Sequence, residues 1–246
     1  MEYREEKMMD QLYLKNTYLF EIDTQATECK KDEKDRPYVL LNQTIFYPQG
    51  GGQPCDYGKM IGSGFEYTVH DVRQIGEEIR HYIDLPQNSM QDFQGNCVVK
   101  CIIDQDRRLL NARYHTAGHL LGNIVEKLCP NLKAQKCHAF PGESYIEFQG
   151  KEMPNEPLLS ETLKNVMAKN LQTKIFEMDR RQFESTYYKL PYEIPETKKF
   201  RIVQIGNYPP IPCGGTHVIS LAEIGEILLK KMKQKNGILK ISFGVK

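Results

Sequence analysis

Two short segments of this sequence carry pairs of side chains that bind transition metals. His115 and His119 form one pair, Cys213 and His217 form the other, and three residues separate the members of each pair. Together they offer four nitrogen and sulfur donors, the number that tetrahedral zinc requires. Mixed imidazole and thiolate donors favour zinc among the divalent metals. The sequence therefore predicts a zinc (Zn2+) site at these four residues.

A helix is predicted to carry the first pair. Between residues 104 and 128 the apolar side chains recur at steps of three and four, which is typical of a helix with one buried face. These side chains are Leu110, Tyr114, Ala117, Leu121, Ile124 and Leu128. His115 and His119 are one turn apart and project from the same side. Gly118 and Gly122 lie on that side too, and we expect them to leave room for the metal and for a group that approaches it.

The second pair is presented by a tight segment. Pro212 precedes it and Gly214 and Gly215 lie inside it, so the backbone can fold until Cys213 and His217 face one point. The other histidines belong to no such pair and are predicted to be structural or exposed; they are His70, His81 and His138.

Composition excludes several classes of protein. The 246 residues are enough to bury one large or two modest cores. Lys and Arg number 33 against 32 Asp and Glu, a net charge of +1, so any contact with RNA must be local. We find no apolar run that would cross a bilayer and no signal peptide, and we expect a cytoplasmic protein without membrane partners. The seven cysteines lack disulfide spacing and are expected to be reduced.

The chain is predicted to be α+β, with a division between residues 103 and 104. The charged residues 1–10 are expected to form a turn or a short helix. Residues 12–103 consist of short runs rich in Tyr, Val, Ile, Phe and Thr between turn residues, which predicts a small antiparallel β-barrel for an N-terminal domain of residues 1–103. Cys97 and Cys101 are expected in its core.

Residues 104–246 are predicted to form a second, α+β domain that contains both ligand pairs. After the ligand helix we expect a hairpin over residues 139–148 and helices over 156–170 and 180–188. Strands are expected over 200–205, 225–232 and 238–245. The last two are joined through Asn236-Gly237, a pair that favours a tight hairpin turn.

A glycine-rich loop is the other conspicuous segment. Gly50, Gly51 and Gly52 follow one another and precede Gln53, and such glycines permit a close backbone approach to a ligand. An ordinary surface loop is the alternative. The loop is not a phosphate-binding P-loop, because the Gly-Lys-Ser/Thr ending and the following helix are both absent.

Taken together, these motifs resemble the alanyl-tRNA editing family, which comprises the editing domain of alanyl-tRNA synthetase and its freestanding AlaX relatives. The resemblance rests on Phe-Tyr-Pro-Gln-Gly-Gly-Gly-Gln-Pro at 46–54, His-Thr-Ala-Gly-His at 115–119, Cys-Gly-Gly-Thr-His at 213–217 and Glu-Ile-Gly at 223–225. It covers nearly the whole chain. The glycine motif is similar to that of the longer freestanding form, which has an N-terminal barrel.

The resemblance implies a hydrolase that removes serine, and also glycine, from mischarged tRNA(Ala). It implies zinc at His115, His119, Cys213 and His217, and an editing-site role for Gln135. The family's Gln-Lys-Gly-Ser segment reads Gln-Lys-Cys-His here, at residues 135–138, so the contact to a serine hydroxyl is altered. Further candidates for the pocket wall are Thr116, Gly50, Gly51, Gly52 and Gln53.

The catalytic groups are left open by the sequence. Four protein ligands would fill a tetrahedron, whereas catalytic zinc usually keeps one open position. Thr116 stands where a His-Glu-x-x-His protease has its glutamate, so proteolysis is disfavoured. Asp56, Glu143 and Glu223 are candidate bases, but a solvated charge is the simpler interpretation of each.

Cationic residues near the ligand helix are predicted to hold the acceptor stem and its single-stranded end. They are Arg107, Arg108, Arg113, Lys127, Lys133 and Lys136, and a second group comprises Lys230, Lys231, Lys233 and Lys235. The alternative is that they are ordinary solvated charges. Two other functions stay open at this point: a non-catalytic RNA-binding module stapled by zinc, and a zinc hydrolase that acts on another ester or amide.

Overall fold

The computed structural model describes residues 9–86, 89–93, 97–188 and 199–246. Residues 1–8, most of the predicted N-terminal turn or helix, lie outside this range. The chain divides into two compact units. Unit 1 comprises Met1–Gly50 and Pro54–Leu109, and unit 2 comprises Gly51–Gln53 and Leu110–Lys246. The domain boundary between residues 103 and 104 stays a prediction.

Unit 1 contains a closed antiparallel barrel. Its strands and those beside it are β1 (Asp10–Gln11), β2 (Glu21–Lys31), β3 (Pro37–Leu41), β4 (Gln43–Thr44), β5 (Gly58–Gly62), β6 (Phe65–Ile75), β7 (Glu78–Ile83) and β8 (Cys97–Ile103). Among the described residues, the barrel closes in the order β2-β3-β7-β6-β5-β8. Val99, Cys101 and Ile103 of β8 are buried because alternate side chains of a strand face the same side. The predicted barrel is confirmed.

A buried ion pair holds the elements of unit 1 together. Arg108 is fully buried, its Nε lies 3.0 Å from Oδ2 of Asp56, and its Nη1 donates to the Thr17 carbonyl at 2.9 Å. Asp56 also accepts the backbone N–H of Tyr47 at 2.7 Å. A guanidinium satisfied in this way does not reach a phosphate backbone, so the prediction that Arg108 binds tRNA is wrong. Asp56 is likewise neither a solvated charge nor an available base.

Unit 2 combines helices with two antiparallel sheets. The elements from residue 105 onward are α1 (Gln105–Leu128), β9 (Lys133–His138), β10 (Tyr145–Gln149), α2 (Glu156–Met167), β11 (Thr173–Asp179), α3 (Arg180–Thr186), β12 (Lys199–Ile205), β13 (Ile211–Pro212), β14 (Ile227–Lys235) and β15 (Ile238–Val245). In the described part of the chain, one sheet has the order β14-β15-β10-β9 and the other the order β11-β12-β13. The α+β class is therefore confirmed.

The ligand helix forms where the sequence predicts it. Asp104 caps its first turn by accepting the N–H of Arg107 at 3.0 Å. Leu121 and Ile124 are buried in one core with Phe243 of β15. Leu110 departs from the predicted stripe, because 37% of its surface is exposed.

The predicted hairpin between the last two strands is also present. Asn236 and Gly237 both have positive φ angles, 51° and 77°, as a type I′ turn requires. The hairpin predicted over residues 139–148 begins earlier, because its first strand is β9 and residues 139–144 only connect β9 to β10. No helix among the described residues has the length and apolar character needed to span a bilayer.

His81 gives unit 1 a pH-dependent stability. The ring is fully buried between the Val39 carbonyl, 2.9 Å from Nδ1, and the Thr44 hydroxyl, 2.8 Å from Nε2. Burial lowers the pKa of His81 from 6.5 to about 4. The structural role predicted for this histidine is thus confirmed.

We expect acid to destabilise the protein through His81. Below pH 6.5 His81 is protonated in the unfolded chain, whereas the buried ring of the folded protein stays neutral down to a pH of about 4. The free energy of unfolding therefore falls as the pH drops toward 4. The loss attributable to this group is about 2 kcal/mol at pH 5. Urea unfolding at pH 7 and pH 5 should show a smaller loss for His81→Gln than for the parent. His70→Gln, whose side chain is 45% exposed in the same unit, is the control and should follow the parent. An equal loss in all three proteins would contradict this account.

Candidate metal centre

The four predicted ligands meet at one place in unit 2. His115 and His119 come from successive turns of α1, and Cys213 and His217 come from the segment after β13. Their donor atoms all lie within 4.8 Å of one another. The three imidazoles are buried and Cys213 is half-buried. The four side chains that the spacing singled out are thus brought together, over a distance that one ion can bridge.

The sulfur of Cys213 lies beside two ring nitrogens. It is 3.5 Å from Nε2 of His115 and 3.4 Å from Nε2 of His217. The three imidazole rings have centroids 4.5 to 5.0 Å apart. Nε2 is therefore the donor atom that His115 and His217 present to the sulfur.

Gly215 is needed for this approach. A Cβ atom on Gly215 would overlap the imidazole ring of His115. The backbone N–H of Gly215 also donates to the Cys213 sulfur at 3.3 Å. The glycine therefore allows the second ligand segment to pack directly on the first, which a larger residue would prevent.

Gln53 hydrogen-bonds to Nδ1 of His115, the ring nitrogen that does not face the Cys213 sulfur. Its side chain is fully buried, and its Oε1 accepts from Nδ1 of His115 at 2.7 Å and from the backbone N–H of Thr216 at 3.0 Å. Its Nε2 donates to the Thr216 hydroxyl at 2.9 Å. Because a backbone N–H only donates, it fixes which end of the amide is oxygen. The proton of His115 must then sit on Nδ1, which leaves Nε2 free to bind a metal.

Thr116 orients His217 in the same way. Its hydroxyl donates to the Ala112 carbonyl at 2.8 Å and accepts from the N–H of Val218 at 3.2 Å. Its oxygen lies 3.1 Å from Nδ1 of His217. The single hydroxyl proton is already used, so His217 must donate from Nδ1 and present Nε2. Thr116 and Gln53 are both fully buried. They therefore support the ligands, and their predicted part in the pocket wall stays a prediction.

The glycine loop was expected to approach a ligand, but its Gly52 packs against the end of strand β9. Gly52 has a φ of 80°, and a Cβ there would overlap the carbonyl of Cys137. The carbonyl of Gly52 accepts the N–H of Ala139 at 2.7 Å. Its close approach is to the end of β9, and this contact sets the position of Gln53. Gly50 and Gly51 are exposed, and their predicted part in the pocket wall stays a prediction.

Two helical glycines face strands of unit 2. A Cβ on Gly118 would lie 2.7 Å from the sulfur of Cys137, whereas one on Gly122 would lie 3.9 Å from Ile146, an ordinary contact. The side chain of Cys137 therefore fills the room that the sequence predicted beside Gly118. The expectation of an open approach is wrong at Gly118 and stays a prediction at Gly122. Gln135 is exposed on β9, and its editing-site role stays a prediction.

The remaining predicted cations and bases divide into engaged and exposed groups. Arg113 donates to the carbonyls of Ile224 and Lys246, so it fastens the C-terminal strand. Arg107 donates to the Cys55 carbonyl. The Glu223 carboxylate accepts the N–H groups of Ile219 and Ser220, so it caps a turn. Exposed groups are Glu143, Lys136 and the lysines of β14 at 230, 231, 233 and 235.

Arg201 is a site residue that sequence reasoning missed. It lies in β12, its Nη1 donates to the Cys213 carbonyl at 2.6 Å, and its own carbonyl accepts the Cys213 N–H at 2.9 Å. Its charge helps to lower the pKa of all three imidazoles. A lone arginine between Phe200 and Ile202, in an apolar run, was the available signal.

The electrostatics suit a neutral set of nitrogen ligands. Burial is the largest cause that lowers the pKa of His119 to about 4 and those of His115 and His217 well below 6.5. Burial raises the pKa of the Cys213 thiol, against the opposing effects of the Gly215 N–H and Arg201. Neutral imidazole is the form that binds metals, and a bound cation favours the thiolate.

An unpartnered atom supports the same assignment. Nδ1 of His119 is buried and has no hydrogen-bond partner among the described residues. Leaving such an atom unpaired costs about 1–3 kcal/mol. Ligation through this nitrogen would remove the cost. The chemistry of the donor set and this atom both fit zinc.

Two segments of the chain match models of protein families. Residues 3–107 match the class II (A) tRNA synthetases. Residues 200–240 match the second additional domain of threonyl and alanyl tRNA synthetases, and this segment includes Cys213 and His217.

Whole-chain relatives decide the family. The alanyl-tRNA editing protein AlaX-M of Methanosarcina barkeri is 30% identical over 93% of this chain and 95% of its own length. This chain belongs to the AlaX family of alanyl-tRNA editing proteins. AlaX-L of Pyrococcus horikoshii is 34% identical over 96% of the chain, which spans 58% of that longer relative. An alanine–tRNA ligase of Ignicoccus hospitalis is 28% identical over 94% of the chain, and only 25% of the ligase is covered.

We expect the buried amide of this AlaX family member to control zinc affinity. Gln53→Met keeps the side-chain volume but loses the hydrogen bonds to His115 and Thr216. Because outer partners of this kind orient the ligand ring, zinc affinity should fall about 10- to 100-fold. Competition with a chromophoric chelator measures it, and histidine nitrogen NMR reports the tautomer of His115. Gln172→Met, at an exposed position of unit 2, is the control. Equal zinc affinity in both variants would contradict the role given to Gln53.

Proposed function

We propose that this protein hydrolyses the ester bond of tRNA(Ala) charged with the wrong amino acid, serine above all and glycine second. Zinc held by His115, His119, Cys213 and His217 is the proposed cofactor. The observation that carries the proposal is the convergence of these four donors within 4.8 Å. The names of its relatives, which are alanyl-tRNA editing proteins and alanine–tRNA ligases, supply the substrate class.

Each residue of the metal centre has a separate role in the proposed hydrolysis. Bound zinc would supply Lewis acidity toward the ester carbonyl and toward water. Gln53 and Thr116 keep the proton of each adjacent imidazole on Nδ1, so that both rings present Nε2. Arg201 places a positive charge beside the ligands, which favours negative charge developing on an ester oxygen. Half-buried Cys213 marks the side from which a substrate would enter, because the three imidazoles are buried.

We assign no general base. Asp56 is neutralised by Arg108 within the buried pair, and the Glu223 carboxylate is engaged by backbone N–H groups. The Glu143 side chain is 72% exposed and lies 3.7 Å from His138. An aminoacyl ester is already activated, so the reaction chiefly needs a positioned water and a polarised carbonyl.

A second candidate function follows from the number of ligands. Four protein donors complete a tetrahedron, as in structural zinc sites. On that account the ion would staple α1 to the segment at 213–217, and the protein would bind RNA without hydrolysing it. A hydrolase of some other ester is a third possibility. On all three accounts the expected location is the cytoplasm, and this stays a prediction.

The decisive assay is deacylation by the zinc-loaded protein. We expect release of serine from Ser-tRNA(Ala), slower release of glycine from Gly-tRNA(Ala), and sparing of Ala-tRNA(Ala). Serine should be preferred over both other amino acids, because a site built for a hydroxyl leaves buried polar groups unpaired when the hydroxyl is absent. His119→Ala should lose at least about 100-fold in rate, since it removes one ligand.

The controls separate the three accounts. His70→Ala, in unit 1 and exposed, should retain the parent rate. A staple without catalysis predicts binding of tRNA and no release of any amino acid. Deacylation that survives chelation of zinc in a folded protein, or that is equal in His119→Ala and the parent, would sink the proposed function.

A further inference from the structure

One face of the sheet β14-β15-β10-β9 carries a dense group of lysines. Residues opposite each other in an antiparallel pair lie on the same face. Lys233 lies opposite Lys240, Lys240 opposite Glu147, and Glu147 opposite Lys136. The two neighbouring rows add Lys231 on one side and Lys235 with Lys133 on the other. We name this surface the basic face; its lysines are Lys133, Lys136, Lys231, Lys233, Lys235 and Lys240.

The basic face points away from the core of unit 2. Leu239, Ile241 and Phe243, the alternate residues of β15, are fully buried against α1. The lysines of the face are exposed, except for Lys240, which is half-buried. Sequence segments separated by about a hundred residues therefore contribute to one surface.

The charge on this face is unbalanced. In its three rows Glu147 is the only acidic side chain, 3.9 Å from Lys240. The protein as a whole has a net charge of only +1. Lys233 and Lys240 oppose each other directly, an arrangement that destabilises a sheet. An anionic ligand would remove that repulsion.

A stack of planar rings lies at the edge of the basic face. The His138 ring is 4.1 Å from Phe140 at an interplanar angle of 5°, and 5.1 Å from Tyr145 at 28°. The Nζ of Lys240 is 3.2 Å from the centroid of Tyr145, and that of Lys136 is 5.8 Å from it. All three rings are half-buried. His138 lies between the other two rings and Lys240 lies over Tyr145, so Phe140 is the ring at the open end of the stack. Rings and ammonium groups are thus interleaved.

We propose that the basic face binds single-stranded RNA, with phosphates on the lysines and a base on Phe140, at the open end of the Phe140–His138–Tyr145 stack. Proteins bind single strands by this combination of a cationic track and aromatic platforms. The inference rests on the proposed function and deepens it, because the strand would be the unpaired 3′ end of the tRNA.

The position of β9 connects this surface with the metal centre. Lys136 and His138 contribute to the basic face, and Cys137 between them points to the opposite side. There its sulfur packs over Gly118, the residue next to His119. An RNA strand bound on the basic face is therefore separated from the ligand helix by the thickness of the sheet. Because β9 is the edge strand of this sheet, the end of the RNA can pass around that edge toward the metal ligands.

Removal of three lysines tests the electrostatic contribution to RNA binding. The variant carries Lys136→Gln, Lys233→Gln and Lys240→Gln. Its control carries Lys164→Gln, Lys169→Gln and Lys174→Gln, which removes the same charge from exposed positions elsewhere in unit 2. The probes are uncharged tRNA(Ala) and a labelled single-stranded oligoribonucleotide, followed by fluorescence anisotropy. Near 0.1 M salt we expect at least about tenfold weaker binding, and a salt slope smaller by about 2, for the test variant alone.

Removal of a ring tests the stacking part. Phe140→Leu should weaken binding of the oligoribonucleotide at least about fivefold with the salt slope unchanged, because stacking is not electrostatic. Phe140→Tyr, which keeps the ring, should bind as the parent does. Tyr187→Leu, at an exposed tyrosine in the same unit, is the matched control. Equal zinc content verifies that each variant is folded.

The outcomes distinguish this proposal from the proposed function. Parental RNA affinity in the triple-lysine variant would overturn the basic face as an RNA site, whatever the deacylation assay shows. Lysine-dependent binding to vesicles of anionic phospholipid without binding to RNA would overturn it as well. Lysine-dependent RNA binding in a protein that releases no amino acid would support the face and overturn only the editing activity.

Discussion

The metal centre depends on one buried amide. Gln53 has no exposed surface, and a buried amide is costly unless its donors and acceptors are paired. Its oxygen accepts from His115 of the ligand helix and from the backbone of Thr216, and its nitrogen donates to the Thr216 hydroxyl. One side chain therefore ties both ligand segments together and fixes a tautomer. Without it, the hydrogen bonds of Thr116 to His217 and Val218 would have to hold the two segments together.

The surrounding packing is arranged to deliver that amide. Gly52 can pass the Cys137 carbonyl because it has no Cβ, and the Ala139 N–H then holds its own carbonyl. Gly118 admits the sulfur of Cys137, and Gly215 admits the ring of His115. At each of these glycines a Cβ atom would overlap a neighbouring backbone or side-chain atom. The glycines therefore allow close packing within the protein, whereas the metal site itself is formed by side chains.

Local patterns allowed much of the fold to be predicted. Periodic apolar residues gave the helix at 105–128, and with it the common side of His115 and His119. Short runs rich in Tyr, Val, Ile, Phe and Thr between turn residues predicted the barrel, and Asn236-Gly237 predicted the final turn. These features depend on neighbours within a few residues. The roles of Gln53, Thr116 and Arg108 depend on partners 52 to 163 residues away, for example at Asp56 and Thr216. The sequence predicts ligand contacts for these residues and not their buried pairing, because burial and pairing at such distances have no sequence period.

We propose that one zinc ion is held by His115, His119, Cys213 and His217, whatever the substrate proves to be. X-ray absorption at the zinc edge of the metal-loaded protein tests this directly. We predict three nitrogen scatterers at about 2.0–2.1 Å and one sulfur at about 2.3 Å, with the sulfur lost in Cys213→Ser. A spectrum with only oxygen or nitrogen neighbours, or a sulfur that persists in Cys213→Ser, would contradict it.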